Sequence, residues 1–186
     1  TAPPYGSFRV ALEDWSIAST ASSAADVSPL RLRARDDGFA VDLALEAGKP
    51  PVLQGERGLS QKGPEPGNAS FYYSMTRLPT RGTVSVDGET IPVTGEAWLD
   101  REWSTSALGP DLAGWDWFAL QLGDGRELMF YRLRRKDGAA DPWSRGSLVA
   151  ADGTSRSLAA TEVGLEVLST WRSPTGATYP ANWRLT

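Results

Sequence analysis

The chain has 186 residues, a formal net charge of -4, 40% hydrophobic and 23% charged residues, 19 Gly, 13 Pro, and neither Cys nor His. That length carries one two-layered domain or two small ones, with roughly 70% of the unfolded chain's surface buried on folding. The missing His and Cys exclude Ser-His-Asp and Cys-His catalysis, His- or thiolate-ligated metal and any disulfide framework, and 23 acidic against 19 basic residues without a basic run make nucleic acid an unexpected partner.

Chemistry here must therefore run on carboxylates, Tyr, Arg, Lys, Ser or bound water, and neither a cofactor nor a metal is expected. The lack of Cys leaves the compartment open, because a domain of this size holds together without disulfides in either redox setting. No stretch approaches the 18 or more apolar residues of a membrane span. The start Thr1-Ala2-Pro3-Pro4 has neither an initiator Met nor a charged-then-apolar leader, so the chain reads as processed, trimmed or excised from a longer parent.

In chain order, a strand is predicted at 8–12, followed by an Ala/Ser-rich break at 18–28. Leu30, Leu32 and Ala34 then alternate with Arg31, Arg33 and Arg35, and Phe39, Val41, Leu43 and Leu45 alternate with Ala40, Asp42, Ala44 and Glu46, on either side of Asp36-Asp37-Gly38. A period of two with a tight Asp-Gly turn spells a half-buried β-hairpin. A Pro/Gly-rich segment at 47–70 is longer than ordinary connections and is expected to cover a cavity mouth or cross between sheets. Strands follow at 71–78, at 83–86 and 90–93 around Asp87-Gly88, and at 96–103. After a boundary candidate at 104–113, strands are read at 114–122 and 126–134 around Asp124-Gly125, at 148–150 and 155–158 around Asp152-Gly153, and at 163–171 and 179–185. Many short strands, regular turn signals and no sustained helical period predict an antiparallel all-β barrel or sandwich with little helix.

Candidate chemistry concentrates in Glu96-Ala97-Trp98-Leu99-Asp100-Arg101-Glu102-Trp103 and Gly114-Trp115-Asp116-Trp117-Phe118. On a strand, Glu96, Trp98, Asp100 and Glu102 share one face, while Ala97, Leu99, Arg101 and Trp103 share the other, so both faces mix charges with aromatic rings. Charges beside indoles are costly to bury unless they are paired or hold something. One reading is a cavity wall, with Asp100 or Glu102 as proton donor or acceptor, Arg101 as an anion clamp, Trp98, Trp103, Trp115 and Trp117 as apolar walls and Asp116 among the contacts. The other is a set of ion pairs, such as Asp100 or Glu102 with Arg77 or Arg101, that pin strands together. The stripe Phe71, Tyr73, Met75 and Arg77 reads first as core, with Tyr73 and Arg77 as its polar contacts. Tyr131 is either a core Tyr or a proton carrier. Asn68-Ala69-Ser70 matches a glycosylation sequon.

The run Ala69-Ser70-Phe71-Tyr72-Tyr73-Ser74-Met75-Thr76-Arg77-Leu78, then Gly95 through Ser104, Gly114-Trp115-Asp116-Trp117-Phe118 and Asp124-Gly125-Arg126-Glu127-Leu128-Met129, resembles the AttH-like family. That family is related to carotenoid 1,2-hydratases and hydroxyneurosporene synthases. The resemblance implies two consecutive lipocalin-like β-barrel halves, parts of which are 1–108 and 109–186, with strands of the parent chain missing at both ends. It implies an apolar, isoprenoid or lipid-like ligand, association with an ABC-type transport system and a periplasmic or secreted location. The hydratase branch's Asp-His-x-Trp falls on Asp100, Arg101, Glu102 and Trp103, and its Tyr-x-Asp on Tyr131, Arg132 and Leu133. Trp103 and Tyr131 carry over, whereas Arg101 replaces the His, and cannot protonate a C=C bond as it would, and Leu133 replaces the Asp. Asp100 or Glu102 is then the candidate acid if burial raises its pKa. Three expectations follow: a binding protein for an apolar molecule, a hydratase- or cyclase-type enzyme using Asp100, Glu102 and Tyr131, or a cluster that only fastens the halves.

Overall fold

The computed structural model describes residues 8–23, 26–104 and 108–186. The chain's first four residues, 24–25 of the Ala/Ser-rich break and 105–107 of the boundary candidate lie outside the described residues. The strands are β1 (Arg9–Leu12), β2 (Trp15–Ser19), β3 (Leu30–Asp36), β4 (Phe39–Leu45), β5 (Val52–Leu53), β6 (Leu59–Gln61), β7 (Ala69–Val86), β8 (Glu89–Trp103), β9 (Leu112–Gln121), β10 (Glu127–Arg135), β11 (Arg145–Val149), β12 (Ser155–Ala159), β13 (Leu165–Arg172) and β14 (Thr178–Leu185). Among the described residues the helical content is one 3-10 turn, Ala160–Glu162, and no helix is long and apolar enough to cross a membrane. The fold is all-β and antiparallel, as the period of two predicted.

The chain divides into two compact units, Thr1–Val52 with Tyr73–Arg101, and Leu53–Tyr72 with Glu102–Thr186; β7 and β8 supply residues to both. In the first unit the strand order is β1-β2-β3-β4-β7, with β8 on β7. The β3–β4 register sets Leu30 opposite Leu45 and Leu32 opposite Leu43, which places the alternating Leu residues on one face. That face makes the core of Leu30, Leu45, Met75 and Leu78, each at most 3% exposed. Each such side chain contributes roughly 1.5–3 kcal/mol. The opposite face carries Arg31 and Arg33, both bonded to Asp42 on β4. Asp87 (φ 49°) and Gly88 (φ 87°) close the β7–β8 hairpin with positive φ at both turn positions, the geometry whose twist matches the flanking strands.

β7 and β8 are each a single long strand where the sequence predicts two. Pro79 does not break β7 because only its carbonyl is needed: Glu46 N–H donates to it at 2.8 Å. Gly82, paired with Leu43, lies so close to β4 that a Cβ would overlap the Asp42 carbonyl. The segment predicted as a loop at 47–70 contains β5 and β6, and β2 occupies part of the expected break. These strands are short and rich in small or polar residues, which dilutes their alternation.

In the second unit, β12-β11-β10-β9 form a four-stranded sheet, β13 pairs with β14, and β6 pairs with the start of β7. β10 is the buried strand: Met129, Phe130, Tyr131 and Leu133 are at most 3% exposed. Its register with β9 sets Phe130 opposite Phe118, Tyr131 opposite Trp117 and Leu133 opposite Trp115. That register, with β6 and the first residues of β7, builds the second unit's cavity.

Candidate functional site

The cavity lies in the second unit and measures about 250 Å³. Alternation along β9 turns Trp115 and Trp117 to it and sends Asp116 to the other side. Tyr131 and Leu133, their partners on β10, continue the wall, and Trp103 adds a third indole from the end of β8. The three indoles are about half exposed, at 51% for Trp103, 53% for Trp115 and 45% for Trp117. Their rings thus form an accessible apolar wall.

The polar end is built by β6, the turn after it, and β7. Ser60 on β6 pairs with Ser70 on β7, and Lys62 N–H donates to the Asn68 carbonyl at 2.8 Å, which closes the connection and aims Lys62 inward. Lys62 is 13% exposed, with its Nζ 3.0 Å from Glu102 Oε1. The same ammonium sits 3.9 Å from the centroid of the Tyr131 ring and 5.5 Å from that of Tyr72, a cation–π arrangement on two rings. Ser70 donates to Glu102 Oε1 at 2.5 Å, Trp117 Nε1 donates to the Tyr72 hydroxyl at 3.3 Å, and the Tyr131 hydroxyl is 3.1 Å from Ser60 Oγ. Lys62 and Glu102 are the charged residues of the lining.

Of the residues singled out from sequence, Glu102, Trp103, Trp115, Trp117 and Tyr131 line this cavity together. Asp116 sits behind the Trp wall, 9% exposed, in ion pairs with Arg132 at 2.8 Å and Arg134 at 3.4 Å. Arg132 also packs over the Trp183 ring, which ties the β9–β10 pair to β14.

The remaining candidates belong to the first unit. Asp100 accepts a hydrogen bond from Ser74, Arg77 pairs with Glu96, and Arg101 lies 4.7 Å over the Phe8 ring. Trp98 is half-buried with its Nε1 lacking a hydrogen-bond partner among the described residues, and Tyr73 packs against the first unit's core. The stripe read as core is mixed, with Met75 at 2% and Phe71 at 56% exposure, Phe71 being stacked on Trp103.

Sequence reasoning missed Lys62, Ser70 and Tyr72. The signal for the last two was present: Ser70, Tyr72, Ser74, Thr76 and Leu78 form the alternate face of β7, and all five are buried. Lys62 carried no signal, because it sits in a Pro/Gly-rich segment where no period places a side chain. Asn68 of the sequon packs against Gly63, with its Oδ1 buried.

The AttH-like family model matches residues 4–186. Among solved structures, the chain resembles a putative AttH from Nitrosomonas europaea at 39% identity and a TM-score of 0.86, over 95% of this chain and 53% of that one. It also resembles kievitone hydratase from Nectria haematococca at 22% identity and a TM-score of 0.74, over 97% of this chain and 54% of that one, a likeness of fold. The chain thus spans about half the length of the structures it matches. No curated protein matches it. With the family model covering nearly the whole chain and a closely superimposing AttH structure, the chain belongs to the AttH-like family and has its antiparallel, lipocalin-like fold.

Proposed function

We propose that this protein binds an apolar, isoprenoid or lipid-like small molecule in the cavity of its second unit. The observation that carries this reading is the wall of three half-exposed indoles, Trp103, Trp115 and Trp117, beside a small polar end. Exposed large aromatics gathered on one concavity mark a site held open for a partner. In this reading 1–108 and 109–186 are parts of two consecutive lipocalin-like halves of a longer chain, and the bound molecule is handed to or from an ABC-type transport system outside the cytoplasm. Native mass spectrometry of the purified protein, followed by organic extraction, tests it. The expected result is a released apolar molecule that quenches Trp emission when added back. An apo mass in every preparation, together with unchanged emission on titrating apolar probes, would refute it.

A second reading, a hydratase- or cyclase-type enzyme, draws support from one feature, the presence of Glu102 and Tyr131 on the same cavity. Against it, Glu102 Oε1 already accepts from both Ser70 and Lys62, the use of a carboxylate as an acceptor. The enzyme reading requires that Glu102→Gln and Tyr131→Phe abolish turnover of a bound alkene while its affinity stays within about twofold. Lowered melting temperatures with no effect on product formation would end it.

A further inference from the structure

The charges of the cavity carry more than a location. Lys62 and Glu102 are its charged residues and lie 3.0 Å apart, so the polar end has no net charge. Lys62 is enclosed on three sides, by Glu102, the Tyr131 ring and the Tyr72 ring, and is 13% exposed. Its charge is already spent on groups of the protein, leaving little for an incoming anion. The carboxylate is used unevenly: Ser70 and Lys62 both meet Glu102 at Oε1, while Oε2 accepts no hydrogen bond among the described residues. The Glu102 side chain is 41% exposed and lines the cavity, so its carboxylate is within reach of a ligand.

Resting on the binding reading above, we infer that the cavity selects an uncharged ligand carrying a hydroxyl on a flat unsaturated body, with Lys62 and Glu102 as the pair that recognises it. The hydroxyl donates to Glu102 Oε2, and the flat body lies along the indoles of Trp115 and Trp117. A carboxylate has no proton to give Oε2 and brings a second negative charge against it, whereas an ammonium meets Lys62. Either ion also loses hydration that the neutralised pair does not replace. At about 250 Å³ the cavity has the volume of roughly eight waters, enough for a bicyclic ring system; a longer tail extends past the exposed indoles.

Three probes that share one ring test this by isothermal titration calorimetry at neutral pH: 2-naphthol, 2-naphthoate and 2-naphthylmethylammonium. The wild-type chain is expected to bind the naphthol at least about tenfold more tightly than either ion, a gap of about 1.4 kcal/mol. In Glu102→Gln, Lys62 loses its counter-charge and the naphthoate becomes the preferred probe. In Lys62→Met the ammonium becomes preferred. A purely structural pair would weaken all three probes alike, so the reversal of ranking is the diagnostic readout. Because the wild-type ranking needs no variant to fold, an ion that binds as tightly as the naphthol overturns the inference and leaves the binding reading standing. If no probe binds, both fall together.

Discussion

Residues 96–101 in the first unit and 102–117 in the second draw on the same ingredients, carboxylates and indoles with basic partners, and put them to different use. In the first unit Glu96 is matched by Arg77, Asp100 by Ser74 and Arg101 by the Phe8 ring. In the second, Glu102 meets two donors at one oxygen and lines a concavity walled by Trp103, Trp115 and Trp117. Charged residues next to Trp on a strand do not by themselves make a site. What decides is whether the neighbouring strand completes the polar group or leaves part of it open beside accessible apolar surface.

The largest effect is expected from cutting the support behind the Trp wall. Asp116→Ala leaves Arg132, whose side chain is 22% exposed, without its carboxylate. Breaking a mostly buried pair costs about 3 kcal/mol, to be read as a lower urea midpoint with unchanged slope. Next comes the wall itself. Trp117→Ala is expected to weaken 2-naphthol binding at least about tenfold, while Trp98→Ala in the first unit leaves binding unchanged, since Trp98 does not line the cavity. Equal losses in both variants would erase the distinction between the two regions.

Smaller still, Asp100→Asn is expected to cost about 1 kcal/mol of stability through its weakened bond from Ser74 and to leave the probe ranking intact. Glu102→Gln changes that ranking. Tyr131→Phe, which removes the contact with Ser60, is expected to cost about 1 kcal/mol in urea unfolding. The smallest effect belongs to the surface of the first unit. Arg31's hydrogen bond to Asp42 holds that carboxyl below its ordinary value, with Arg33 adding to it. A lowered carboxyl pKa means stability that is present above the ordinary carboxylate range and lost as pH falls through the folded value. Asp42→Asn should therefore lower stability at neutral pH by less than about 1 kcal/mol, because the pair is well exposed, and flatten the acid limb of a pH–stability profile.

Much of the fold was legible in the residues. Leu30, Leu32, Leu43 and Leu45 alternate cleanly enough to fix both strands and their inward face, and the four Asp-Gly pairs read as turns lie at turns, as does a fifth, Asp137-Gly138. The strands at 71–78 and 83–86 run on as one through Pro79, because Pro is tolerated in a strand where its missing N–H is not needed, and the sequence does not show which neighbour asks for it. The cavity was half legible. Trp103, Trp115, Trp117, Glu102 and Tyr131 were marked by composition and motif, whereas Lys62 lies forty residues before its partner Glu102 in a segment without periodicity. An ion pair of that kind depends on how β6 and β8 each meet β7, which local pattern does not encode.

The most direct test of the account uses the chain's eight Trp residues as reporters. In a 15N-labelled sample the indole N–H resonances are followed while 2-naphthol is added, with assignments made by single Trp→Phe substitutions. Binding in the second unit's cavity predicts saturable shifts confined to Trp103, Trp115 and Trp117, with Trp15, Trp98 and Trp171 unmoved. Shifts centred on those last three, or a spectrum unchanged at saturating probe, would contradict it.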